Sequence, residues 1–134
     1  EKELAAVRST QAMGQIGALA DSAQVLNGTT TITAVLPDGI TGDDLRKIAL
    51  ELKARAPQLA VALISANEGK PVLVVAVSDA AKSTGLKAGA LVKIGSTILG
   101  GGGGGKDDFA QGGGTDASKS QAALVAIADS ISGK

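Results

Sequence analysis

Six glycines in a row, Gly100 to Gly105, run into Lys106, and a second cluster, Gly112-Gly113-Gly114, follows after Asp107-Asp108-Phe109-Ala110-Gln111. Glycine loses more conformational freedom on folding than any other residue, so ordering such a run is costly. What it offers in return is backbone without Cβ atoms. Its amides can close around an anion, or can approach another backbone where any side chain would stand in the way. A slack linker shares the composition. Linkers, however, usually mix glycine with serine and carry no apolar anchor. This run is closed by a cation and then by Phe109, the only aromatic residue in the chain. The candidate contact groups are therefore the backbones of Gly101, Gly102, Gly103, Gly104 and Gly105, the Lys106 ammonium, Gln111, and the backbones of Gly112 and Gly113.

Gly100 to Lys106 also satisfies the G-x-x-x-x-G-K part of a nucleotide-binding P-loop. That motif continues with Ser or Thr for Mg²⁺, follows a buried strand and opens a helix. Here Asp107 stands in the hydroxyl's place, Asp107 and Asp108 repel phosphate, and the residues before Gly100 have a helical pattern. Nucleotide hydrolysis is a poor fit. The chain has no His and no Cys, which removes thiol chemistry, disulfides, the common zinc sites and Ser-His catalysis. No catalytic residue and no metal ligand is assigned.

With 134 residues and 44% hydrophobic content, the chain is long enough for one domain with a core. That core must be built from Ala, Val, Leu and Ile. Thirteen basic and thirteen acidic residues cancel, so no global field draws the chain to nucleic acid and any anion binding is local. From residue 80 to 106 there are four lysines, Lys82, Lys87, Lys93 and Lys106, and no acid. They are candidate phosphate contacts, with an ordinary solvated face as the alternative. No apolar run reaches the roughly 20 residues of a membrane helix, and no signal peptide is visible. A cytoplasmic location is expected. Glu1 opens inside a charged helical pattern without an initiator Met, as in a piece of a longer protein.

The elements that must position the glycine stretch come next. Residues 1 to about 24 have a thin helical stripe (Leu4, Val7, Ile16 and Leu19 among it), suited to a stalk that self-associates or packs on its own domain. Thr29 to Leu36 is a β-branched strand closed by Pro37-Asp38-Gly39. Thr41 and Asp44 form a variant capping box for a helix with Leu45, Ile48, Ala49, Leu52 and Ala56 on its apolar face. Arg46, Lys47, Lys53 and Arg55 take its other faces, and Pro57 stops it. Leu59 to Ala66 and Val72 to Val77 are apolar strands joined as a hairpin; the second shows no alternation, as expected when both faces are covered. The β-α-β order makes the first two strands parallel. A turn over Asp79 to Gly85 leads into a helix over about 87–99, in which Gly89 and Gly95 demand close packing. The glycine loop follows its C-terminal end, where the dipole disfavours phosphate. The start of the final helix, beyond Gly114, is an alternative anion site. That helix runs from Asp116 or Ala117 to Ser132, capped by Asp116 or Thr115, with Leu124, Ile127, Ala128 and Ile131 buried. The fold class is α/β: a helical stalk over 1–25, then a small globular glycine-loop domain over 26–134, a mixed β-sheet in β-α-β-β-α-α order packed with helices.

The glycine run followed by a basic residue, Asp, an apolar residue, Ala, Gln and a further glycine pair resembles the C-terminal domain of alanyl-tRNA synthetases, in the DHH-associated domain superfamily. Gly85-Leu86-Lys87-Ala88-Gly89-Ala90-Leu91-Val92-Lys93 is similar to a second signature of that family. Two positions depart from the family pattern. Lys106 stands where Arg is usual, which keeps the charge but loses the planar fork, and Phe109 stands where many members have Met. The related phosphodiesterases carry a His after their glycine pair, which this chain lacks. The resemblance implies a non-catalytic, RNA-binding module of an alanine–tRNA ligase that holds tRNA-Ala at its elbow. Aminoacylation and editing, with ATP, Mg and Zn, fall to other domains of the parent, and no cofactor is expected in this chain. The other domains are expected partners, and a homodimer through the stalk is a further one. A structural or dimerisation module with little RNA affinity is the alternative function; a phosphoesterase accessory domain is a third.

Overall fold

The computed structural model describes residues 23–26, 28–36, 39–54, 58–67, 69–83 and 85–132. Six strands form one sheet: β1 (Gln24–Leu26), β2 (Thr29–Val35), β3 (Leu59–Asn67), β4 (Lys70–Val77), β5 (Gly103–Gly105) and β6 (Phe109–Gly113). Their spatial order is β1-β2-β3-β4-β6-β5. Among the described residues only β2 and β3 run parallel; the other neighbouring pairs are antiparallel. The helices are α1 (Gly42–Lys53), the single turn α2 (Asp79–Lys82), α3 (Ala88–Leu99) and α4 (Ser120–Ser132), the last preceded by a 3₁₀ turn over Ala117–Lys119.

The two central strands explain the layering. Successive strand residues point to opposite faces. In β3, Ala60, Ala62 and Ile64 enter one apolar cluster, while Leu59, Val61 and Leu63 enter another; in β4, Leu73, Val75 and Val77 divide from Val74 and Ala76 in the same way. The first cluster is completed by α3 and α4, the second by Leu45, Ile48, Ala49 and Leu52 of α1. The unbroken apolar run in β4 is thus the signature of a strand covered on both faces. The expected α1 cap is present, with the Asp44 N–H donating to Thr41 Oγ1 at 3.2 Å. Ala56 lies outside the described residues.

Two glycines in α3 show what holds that helix. A Cβ on Gly95 would come within 2.6 Å of Leu73 Cδ2 and 2.8 Å of Ile127 Cδ1, so α3 lies tightly between β4 and α4. Gly100 ends the helix in the left-handed conformation (φ 86°), the backbone state that glycine adopts without a Cβ penalty.

Three features differ from the expected order. The glycine stretch is a hairpin of two strands, β5 and β6, which joins the sheet beside β4 instead of forming a loop. The turn after β4 contains the helical turn α2. At the other edge, Gln24–Leu26 pair with β2, so β1 occupies the end of the segment expected to be helical stalk. The remainder of that stalk, with Leu4, Val7, Ile16 and Leu19, lies outside the described residues. β1 and β5 are each three residues long, too short to give a hydrophobic period, and β5 and most of β6 lack the branched side chains that mark strands.

Candidate nucleic-acid interface

The glycine hairpin is strapped along α3 and fastened at both ends. At its base, the Gly101 N–H donates to the Ser96 carbonyl (2.9 Å), and the Thr115 and Asp116 N–H groups donate to the Leu99 carbonyl (2.9 and 3.0 Å). At its tip, the Ala88 N–H donates to the Asp107 carbonyl (2.8 Å) and the Gly89 N–H to the Lys106 carbonyl (3.2 Å). The dipole at the α3 C-terminus disfavours an anion near this stretch; the amides of Gly101, Thr115 and Asp116, flanking the hairpin, cap two of its carbonyls, at Ser96 and Leu99. The first amides of α3 are likewise consumed, by the hairpin tip. The tip itself closes through Lys106 N–H to Phe109 C=O (2.8 Å).

The glycines then sort by what surrounds them. A Cβ on Gly101, Gly103 or Gly105 would fall under 3.0 Å from the backbone of β6 or of Gly113-Gly114, and one on Gly112 would strike Ser96 Oγ. Gly113 and Gly114 press on the Pro71 and Leu99 carbonyls. These six are glycine because the fold leaves no room. Gly102 and Gly104 differ: a Cβ on either would meet nothing within 4 Å, and neither has a left-handed φ. Internal packing does not account for them. Paired strand residues share a face, so Gly104 and its partner Gln111 lie together. That face looks towards α1, since the Gln111 side chain reaches the position a Cβ on Gly42 would take.

Between α1 and the hairpin is an open hollow of about 350 Å³, with Arg46 and Leu50 on one wall, Gly104, Phe109 and Gln111 on the other, and Lys106 beside them. The Arg46 Cζ lies 5.3 Å from the centre of the Phe109 ring, a cation over an aromatic face. Asp108 also lines the hollow and faces Lys53 Nζ at 3.7 Å.

Of the sequence-derived candidates, Gly101 to Gly105, Lys106, Gln111, Gly112 and Gly113 are brought together on one hairpin, and Gly101, Gly102, Gly104, Gly105, Lys106 and Gln111 are exposed. Lys87, at the N-cap of α3, joins Lys106 at the hairpin tip through the amides that follow it. Lys93 is exposed farther along α3. Lys82 is paired with Asp79 at 3.2 Å, with a third of its side chain exposed, and is the least available of the four. In the 3₁₀ turn ahead of the last helix, beside the alternative anion site, the Asp116 carboxylate accepts from the Ser118 N–H (3.1 Å) and from the Ser118 hydroxyl, interactions that hold its pKa below the usual 3.8. Sequence reasoning missed Arg46 and Leu50. Arg46 was readable as a cation off the apolar face of α1, but its meeting with Phe109 depends on β6 entering the sheet.

A mixed sheet carrying α1 on one face and α3 and α4 on the other, with a glycine hairpin at its edge, defines the structural class. The chain belongs to the DHHA1 domain family, whose model matches residues 28–133. It is 45% identical over 133 residues to the alanine–tRNA ligase of Arthrobacter sp. (strain FB24), an overlap of 98% of this chain and 15% of that protein. With the alanine–tRNA ligase of Kocuria rhizophila it shares 46% identity over 133 residues, 95% of this chain and 14% of the relative. The chain therefore spans about one seventh of the length of these curated relatives. Among solved structures, the C-Ala domain from Aquifex aeolicus alanyl-tRNA synthetase matches with a TM-score of 0.76 at 27% identity, covering 83% of this chain and 98% of that domain. The resemblance drawn from the glycine run and the Gly85 to Lys93 segment holds.

Proposed function

We propose that this chain is a tRNA-binding C-terminal module of an alanyl-tRNA synthetase. It holds tRNA-Ala at the elbow while other domains of the parent, with their ATP, Mg and Zn, carry out aminoacylation and editing. The observation that carries the reading is the pair Gly102 and Gly104. They keep one side of an ordered hairpin bare where the packing of the described residues does not require it, and Lys106 and Lys87 stand at its tip. Folded RNA is recognised largely by shape and by contacts to phosphate and 2′-OH, and a bare backbone strip beside cations suits that task. The relatives' names place them in the same enzyme class. Partners are then tRNA-Ala and the remaining domains of the synthetase, and the setting is the cytoplasm. Among the described residues no helix is long and apolar enough to cross a membrane.

The test is binding of a tRNA-Ala transcript to Lys106→Ala and to Lys119→Ala, the latter an exposed lysine before α4. The reading expects loss of affinity in the first and none in the second. Equal behaviour of the two variants contradicts it, and nuclease footprinting then shows whether any protection falls at the elbow.

A further inference from the structure

We infer that the hollow between α1 and the glycine hairpin receives one unstacked nucleobase of the bound RNA, with the adjoining phosphate held by Lys106. This rests on the RNA-binding reading above. Unpaired bases are bound by stacking on aromatic rings or on guanidinium planes, and the hollow contains both, Arg46 lying over Phe109 at 5.3 Å. Leu50, one turn beyond Arg46, adds an apolar side chain to the wall, 40% exposed and so open to contact. Gln111 supplies both a donor and an acceptor, which is what a base edge requires.

Gly104 decides the occupant. A Cβ on it would meet nothing within 4 Å and would stand at the hollow that Gly104 lines. Its hydrogen in place of a Cβ leaves a flat wall opposite α1, the shape for a planar group. The cations beside the hollow match the phosphate that accompanies a base. The one acid in its wall, Asp108, faces Lys53.

The experiment uses the 134-residue chain, a fluorescein-labelled hexaribonucleotide of adenosine, and an abasic hexamer of the same charge, compared by anisotropy. Stacking predicts that the base-bearing hexamer binds about tenfold more tightly than the abasic one. Gly104→Val should abolish that preference while leaving the melting temperature no lower than that of the wild type, because a Cβ there meets nothing within 4 Å. Equal binding of the two hexamers, or binding of neither, overturns the base site. So does a preference that survives intact in Gly104→Val. A tRNA-Ala titration of wild type and Lys106→Ala is run in parallel. If tRNA binds and Lys106→Ala weakens it, failure with the hexamers removes the hollow alone; if tRNA does not bind, the RNA-binding reading fails with it.

Discussion

Gly103 and Gly104 are neighbours in strand β5 and are glycine for opposite reasons. A Cβ on Gly103 would lie 2.8 Å from the Gln111 carbonyl oxygen and nearer still to the Gly112 Cα, whereas one on Gly104 would meet nothing within 4 Å. One position is dictated by the hairpin's own packing and the other is left open on its surface. The division separates glycines that the packing requires from glycines that it leaves open, along a stretch whose residues are identical.

Gly103→Ala and Gly112→Ala should therefore each cost about 1–3 kcal/mol, since the new methyl overlaps the β6 backbone in the first and the buried Ser96 hydroxyl in the second. Gly102→Ala and Gly104→Ala should be neutral or stabilise by about 0.4–1 kcal/mol through the unfolded state. Urea denaturation of the four variants measures this. Equal losses at all four positions would contradict the assignment.

Ser96 makes a second prediction. Its hydroxyl is fully buried beneath Gly112 and has no hydrogen-bond partner, while its carbonyl accepts from Gly101. A buried unsatisfied polar group costs about 1–3 kcal/mol. Ser96→Ala removes that cost and keeps the carbonyl, so its denaturation midpoint should equal or exceed that of the wild type.

Asp108 places a negative charge in the wall of the hollow. Its ion pair with Lys53, at 3.7 Å and part exposed, is worth about 0–1 kcal/mol. Asp108→Asn should leave stability nearly unchanged and tighten tRNA binding about two- to fivefold at low salt, by removing one like charge beside the phosphates. Titration at low and high salt checks it, because the gain should shrink as ions screen the site.

The start of the last helical segment predicts a pH effect. Asp116 accepts from Ser118, which lowers its pKa from 3.8. A carboxylate with a depressed folded pKa contributes stability above the unfolded value and loses it as pH falls through the folded one. Asp116→Ala should melt below the wild type from neutral pH down to about 4, and the gap should close below 3.8. Thermal melts across that range decide the point.

Most of the core was legible because its periods were clean. The apolar spacing from Leu45 to Leu52, the cap at Thr41 and the unbroken run from Val72 to Val77 each have one simple structural solution, whereas Asp116, one of two caps offered for the last helix, caps the 3₁₀ turn before it. The parallel pairing of β2 with β3 followed from the helix between them. The hairpin character of residues 103–113 did not show, because β-propensity is a property of side chains and β5 has none. What reveals it is the alternation of blocked and open glycines, which exists only in three dimensions. The same limit hid Arg46, whose partner Phe109 lies 63 positions further along the chain, the difference of their residue numbers.

The central claim is that the open side of the hairpin, with its cations, contacts RNA phosphate. Its most direct test is the affinity of the chain for tRNA-Ala across about 50 to 300 mM salt. Neutralising roughly two to four phosphates predicts log affinity falling against log salt with a slope of about −2 to −3, flattening by about one unit in Lys106→Ala. An affinity unchanged over that range, or a slope that Lys106→Ala leaves intact, would contradict the account.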